Sequence, residues 1–134
     1  MPAGYSGTPL AKKLGFKDGQ AMFAVAMPAS VKAEILTQAK PKFVAKAAKD
    51  IPAAHVFATE AKRLEAELKK LRPLIAPDGQ VWVSWPKKAA KVETDITEDT
   101  IRKIALPMGY VDVKVCAVDD TWSGLKLVIR KTLR

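Results

Sequence analysis

The residues best equipped for chemistry fall in a few short stretches. "SWPKKA" supplies Ser84, Trp85, Lys87 and Lys88, and "VDDTWS" supplies Asp119, Asp120 and Trp122. Ser30 and Thr59 each stand where a helix is expected to open. Lysines and tryptophans beside two helix starts suit a small anionic ligand, because free amides and the helix dipole attract negative charge and an indole offers a stacking face. The same residues also admit an arrangement without a ligand: Lys87 and Lys88 would pair with Asp119 and Asp120, and the tryptophans would pack under the N-terminal segment. Catalytic pairings are scarcer. His55 and Cys116 are the only histidine and cysteine; they belong to different strands, at opposite edges of a sheet, and are expected far apart. His55 then reads as a strand-edge residue with a satisfied hydrogen bond, and Cys116 as a small core hydrophobe. A lone cysteine leaves no internal disulfide or thiolate metal cluster. There is no H-E-x-x-H, phosphate-binding loop or G-x-S-x-G, so neither a metal nor a hydrolase triad is expected.

Those residues meet only if the chain alternates strands and helices. "LGFKDGQAMFAVAM" predicts a turn and an apolar strand near 20–26, closed by Pro28, with Ser30 capping a helix to about Gln38 on a Val31–Ile35 face. "KPKFVAKAAKD" reads as a short strand at 43–45 or as a helix aligning Lys42, Lys46 and Lys49. The strand is preferred because an apolar strand follows at 53–59. Thr59 should cap the helix "TEAKRLEAELKKLRPLI", where Leu64, Leu68, Leu71 and Ile75 form one stripe and Glu65 faces Lys69. "APDG" predicts a tight turn with Gly79 in the left-handed region, and "QVWVSW" a strand covered on both faces. Trp82 points away from Val83 and Trp85, into a core. A third helix from about Thr97 has Ile96 and Ile101 at staple spacing, buries Ile101, Ile104, Ala105 and Met108, and stops at Pro107 and Gly109. "YVDVKVCAV" and "GLKLVIRK" close the chain as an antiparallel hairpin. The fold class is therefore α/β, a mainly parallel sheet between helical layers with strand 20–26 near the centre, then 54–58, then 80–85. Ligands of such sheets bind at the carboxyl ends of the strands, the edge that collects all nine residues named first.

At 134 residues the chain is read as one domain, 1–134, with 1–11 an arm over its surface. Its 49% apolar content is too high for a disordered chain. No apolar run approaches the ~20 residues that span a bilayer, and the N-terminus lacks the apolar segment of a secretory signal. A cytoplasmic location without membrane contact follows as the expectation. The net charge of +9, with eight lysines in residues 1–49 against Asp18 and Glu34, favours an anionic partner. The run "ETDITED" at 93–99 has the opposite sign. Nucleic acid competes as that partner, but the basic segments hold almost no aromatic residues to stack on bases and no helix-turn-helix, zinc-finger or oligonucleotide-barrel pattern.

The last two-thirds of the chain resembles the second half of a class I S-adenosylmethionine-dependent methyltransferase. Leu74, Pro77 and Gly79 match the "L-x-P-x-G" turn before a central strand, and Gly109, Tyr110 and Val113 match the "G-[FY]-x-x-V" opening of the next. A closer resemblance, over Tyr5–Gly15, Ala76–Ala89 and Asp112–Val128, is to a family of small bacterial proteins defined only as a domain of unknown function. It implies the fold and no activity. Where that family tends to begin the strand before the long helix with "A-D-V", this chain has Ala54-His55-Val56.

The methyltransferase resemblance implies a glycine-rich turn after the first strand and an acid after the second for the ribose hydroxyls. The first turn here, "AVAMPAS", has no glycine and loses an amide at Pro28, while Asp50 stands nearest the place of the acid. Two strands and two helices between the first strand and His55 would need over ~40 residues, and only about 28 are present there. One strand and one helix are expected to be missing. The resulting expectation is a reduced three-layer Rossmann-like, methyltransferase-like sheet without catalysis and without a cofactor. It would bind a small anionic ligand or a protein partner at the carboxyl edge, and a homodimer would cover the strand edge left bare. The alternatives are an S-adenosylmethionine- or nucleotide-dependent enzyme and a basic nucleic-acid-binding protein.

Overall fold

The computed structural model describes residues 9–134. Strands β1 (Ala21–Val25), β2 (Lys42–Val44), β3 (Ile51–Phe57), β4 (Ile75–Pro86), β5 (Tyr110–Ala117) and β6 (Trp122–Ile129) form one sheet in the order β2-β1-β3-β4-β6-β5. The first four run parallel, and β6 lies antiparallel between β4 and β5. This is the mixed α/β sheet that the alternating pattern implies, and β1, β3 and β4 follow one another as expected, but β1 lies next to the edge strand β2 and the centre of the sheet is β3 and β4.

Helices α1 (Leu10–Leu14) and α2 (Ala29–Gln38) cover one face, and α3 (Ala61–Leu71) and α4 (Glu98–Ala105) the other. The reason is visible in the side chains. Val31 and Ile35 of α2 join Leu10 and Leu14 over Met22, Ala53 and Trp82. Leu64, Leu68 and Ile101 pack with Val81, Val83 and Leu127 on the opposite face. Successive residues of β4 thus feed different cores, as a two-period strand must. Thr97 caps α4 through a reciprocal box with Thr100, and buried Ile96 sits at the staple position before buried Ile101. Gly109, at φ +99°, stops the short 3-10 turn that follows. Arg102 of α4 bridges to Asp112 of β5 at 3.0 Å, which ties the helix to the sheet.

Several local expectations are corrected. Residues 1–8 of the expected arm lie outside the described residues, but Leu10–Leu14 is a helix, closed by Gly15 at φ +72°. Its partners are remote: Ala11 N–H donates to Gln38 Oε1 at 2.8 Å, and Trp82 Nε1–H donates to the Leu14 carbonyl at 2.8 Å. The long helix ends at Leu71, and Ile75 belongs to β4, opposite Ile51. Glu67, not Glu65, makes the helix-surface ion pairs, with Arg63 at 3.6 Å and Lys70 at 4.0 Å. "APDG" is no left-handed turn but an irregularity within β4, where Ile51 and Ala53 face Ile75 and Gln80. Gly79 is needed there for closeness, since a Cβ would stand 3.0 Å from the Pro52 carbonyl oxygen.

The expected shortening is present. β2 passes to β3 through residues 45–50 with no intervening helix or strand. No helix among the described residues is long and apolar enough to cross a membrane.

Candidate functional site

Parallel pairing runs to Val25↔Val56 and Phe57↔Ser84, and Pro86 pairs with Trp122. The chain segments leaving β1, β3 and β4 therefore meet at one edge, where the start of β6 joins them. A cleft of about 190 Å³ opens there, lined by Ala26, Phe57, Ala58, Thr59, Glu60, Arg63 and Trp122. It adjoins, through Thr59 and Glu60, a second of about 480 Å³ bounded by Glu93, Thr94 and Asp95.

Each wall has a local cause. Ala26 leaves β1 with φ +54°, a left-handed conformation that costs an alanine about 1–2 kcal/mol. Strain of this kind at a strand end is held by its surroundings and gathers at functional turns. Trp122 packs edge-on against Phe57 at 5.1 Å, and Phe57 stacks on His55 at 4.4 Å. An aromatic column thus runs from the cleft into the core. At its base His55 is fully buried, its Nε2 2.6 Å from Ser84 Oγ, and its Nδ1 has no partner among the described residues. Burial drives the imidazole pKa from 6.5 down to about 3, so this ring is neutral. It sits mid-strand rather than at a strand edge and is only half satisfied. Cys116 is half-buried, which raises its thiol pKa, and Lys13 and Lys114 oppose that shift.

The acidic wall comes from the loop after β4. Thr94 Oγ1–H donates to the Thr59 carbonyl at 2.7 Å, and Asp95 Oδ1 accepts the Ala61 N–H at 2.7 Å. Asp95 thereby caps α3 from 34 residues away. Its carboxylate faces the positive end of the helix, the side on which the helix dipole favours it. Thr59 is not the cap, for Glu60 occupies that position and makes no side-chain cap bond. Ser30 is likewise displaced: Pro28 precedes α2, and Ser30 lies exposed in its first turn. Replacing Asp95 with alanine is expected to cost about 1 kcal/mol, and Asp95→Asn to retain most of it, as read by urea unfolding. Faster exchange of the Ala61 amide should mark the first variant alone.

Of the nine residues singled out from sequence, Thr59 and Trp122 share the smaller cleft. Ser84 and Trp85 are buried, the first on His55 and the second in the core beneath α3 and α4. Lys87 donates its backbone N–H to the Thr121 carbonyl at 2.7 Å, and Lys88 begins a short exposed 3-10 turn. Asp119 Oδ1 accepts the amides of Thr121 and Trp122 at 2.8 and 2.7 Å, folding the hairpin turn, while Asp120 is exposed. No ion pair links these lysines and aspartates among the described residues. Asp50 precedes β3 at φ +63°, so it lies at the amino edge, away from the place of a ribose-binding acid. Sequence reasoning missed Ala26, Glu60, Glu93, Thr94 and Asp95. The acidic run at 93–99 was the available signal for the last three, read only as a change of charge.

No family model matches the chain, and no curated protein is similar to it. Its fold is nonetheless shared. A Burkholderia thailandensis 1,6-didemethyltoxoflavin N1-methyltransferase, solved with its substrate and S-adenosylhomocysteine, matches 96% of this chain and 80% of its own at TM-score 0.64 and 12% identity. A Synechocystis magnesium protoporphyrin IX methyltransferase, solved with bound S-adenosylmethionine, matches 90% and 74% at TM-score 0.59 and 14% identity. An Aquifex aeolicus S-adenosylmethionine-dependent methyltransferase matches 90% and 88% at TM-score 0.60 and 14% identity. These neighbours stand against the expectation of a domain without catalysis, because the three proteins described are methyltransferases, two of them solved with S-adenosylmethionine or S-adenosylhomocysteine. Identities this low carry the fold and not the site residues. The chain has a truncated, methyltransferase-like Rossmann fold, with the carboxyl-edge cleft of its sheet walled by aromatic and acidic residues.

Proposed function

We propose that this chain is an S-adenosylmethionine-dependent enzyme that holds its cofactor at the carboxyl ends of β1 and β3. The observation that carries the reading is the acidic, aromatic-backed cleft beside the left-handed turn at Ala26. In the absence of glycine, Ala26 supplies the turn at a strain cost, so the missing glycine signature does not remove the bend it normally serves. The charged lining of the larger cleft fits a cation, while the smaller one sets Glu60 beside Arg63. Glu60, Glu93 and Asp95 surround the larger cleft, and carboxylates repel the phosphates of a nucleotide while attracting a sulfonium or an ammonium group. S-Adenosylmethionine supplies, when bound, a methyl group made electrophilic by its sulfonium. The chain's own residues have simpler tasks. Trp122 and Phe57, packed edge-on against each other, back the smaller cleft with apolar surface and keep water from its floor. The Thr59 carbonyl, already accepting from Thr94, fixes the acidic loop in place. The same proposal places the enzyme in the cytoplasm.

Calorimetric titration with S-adenosylmethionine, S-adenosylhomocysteine and ATP tests it. The sulfonium compound should bind most tightly, and a Glu60→Lys/Glu93→Lys variant should weaken it about tenfold or more by reversing the local field. Tighter binding of ATP, or affinity unchanged in that variant, would contradict the reading.

A further inference from the structure

The two faces of the sheet are unequally covered. α1 and α2 close one face across β1, whereas on the other α3 lies against β3 and α4 against β5. The direct passage from β2 to β3 brings no helix over β1 on that side. What remains is a groove of about 450 Å³ between α3 and the segment 45–47. Its base is apolar: Phe23 and Val25 point to it from β1, joined by Ala47 and Leu71. Its rim is basic. Lys46, Arg63 and Lys70 stand exposed around it, and Glu67, the one acid of the lining, is already engaged by Arg63 and Lys70.

We propose that this groove docks an acidic amphipathic helix of a partner protein, which supplies in trans the helical cover that β1 lacks. The apolar edge of such a helix would lie on Phe23 and Val25, with anchors at i, i+3, i+4 and i+7, and its carboxylates would meet Lys46, Arg63 and Lys70. Charge selects this occupant over others. A second copy using the same groove would set three cations against their own duplicates in a chain of net charge +9. A nucleic-acid backbone would satisfy the rim and leave the apolar base against phosphate. The inference does not rest on the cofactor reading: although the groove reaches Val25, the last residue of β1, it opens on the face of the strand toward α3 and shares only Arg63 with the clefts beyond the strand end. Arg63, which also borders the cofactor cleft, is left unchanged in the decisive variant.

The test uses fluorescein-labelled peptides of about 20 residues, long enough for stable helices. One series carries leucine at the four anchor positions in several registers, four glutamates flanking them and alanine elsewhere, a second has the same composition scrambled, and a third has lysine for glutamate. Anisotropy titrations should show saturable binding of an acidic amphipathic peptide. Binding should fall about tenfold or more on scrambling, on the change to lysine, and in Lys46→Glu/Lys70→Glu protein. Methyl shifts in the NMR spectrum should centre on Val25, Ala47 and Leu71. These two substitutions fall on exposed side chains, and an unchanged melting temperature confirms that the fold persists. The proposal is overturned if no acidic amphipathic peptide binds, if scrambled and amphipathic forms bind alike, or if charge reversal has no effect. It is equally overturned if the shifts lie elsewhere, if duplex DNA outcompetes the peptide, or if a dimer of the protein shields Phe23 instead.

Discussion

Lowering the pH from 7 to 4 is expected to remove about 3 kcal/mol of stability through His55 alone. The ring is fully buried, and desolvation holds its folded pKa near 3 against an unfolded value of 6.5. Between these values the unfolded chain binds a proton that the folded chain refuses, so acid favours unfolding. The contribution is complete above pH 6.5, falls progressively as the pH drops, and is exhausted near pH 3. Each unit of that window is worth about 1.4 kcal/mol. For a domain of this size, the loss at pH 4 corresponds to roughly 10 °C in melting temperature. Replacing His55 alone would strand the Ser84 hydroxyl, so the informative variant is His55→Phe/Ser84→Ala, which removes both polar groups together. Melting curves at pH 7, 5.5 and 4 should show a steep decline for the native sequence and a shallow one for the double variant. Parallel declines would mean that His55 is not the group being protonated.

Trp82→Ala should cost about 3–5 kcal/mol, the range for emptying a large core site. The indole is fully buried in the middle of β4, and its Nε1–H is bonded to the Leu14 carbonyl. A Cβ on Gly124 of β6 would come within 3.2 Å of the indole, so glycine there leaves the ring the space it occupies. Trp82→Phe keeps much of the volume but leaves the carbonyl unpaired, at about 1–3 kcal/mol. Because α1 has only five residues, it is too short to hold its own shape. The phenylalanine variant should therefore accelerate exchange of the α1 amides well before global unfolding. Urea unfolding with an unchanged slope would confirm a native-state effect. A Trp82→Ala loss below about 1 kcal/mol would be incompatible with this core.

The architecture was legible because its signals are local and periodic. Val31 and Ile35, the Leu64–Leu68–Leu71 stripe and the run at 80–85 each state a face, and crossover handedness then orders the strands. The Ile96–Ile101 staple around Thr97 lies within six residues and could be read directly, whereas the capping box could not, because it closes through Thr100 and not through the usual glutamate or glutamine. What could not be read is what depends on distant partners. The cap of α3 comes from Asp95, so Thr59 looked like the cap only for want of a nearer candidate. α1 exists through Gln38 and Trp82, neither of which is close in sequence. The bend in β4 is set by the approach of Pro52 to Gly79 rather than by the turn chemistry of "APDG". At the site, Ala26 carries no trace in its residue type of the left-handed turn it makes. The residue types alone therefore show a missing glycine and not the bend that Ala26 makes without one. The lysines after β4 drew attention to an anion, whereas the cleft faces the carboxylates of the loop beyond them.

The central claim is that S-adenosylmethionine sits between the turn at Ala26 and the Thr59–Glu60 step. The most direct measurement is an amide and indole NMR titration with that compound. The account predicts saturable shifts centred on Ala26, Met27, Thr59, Glu60 and the Trp122 indole, with the β5 amides unmoved. No shift at millimolar ligand, or shifts gathered at the amino edge of the sheet around Gly15 and Gln80, would contradict it.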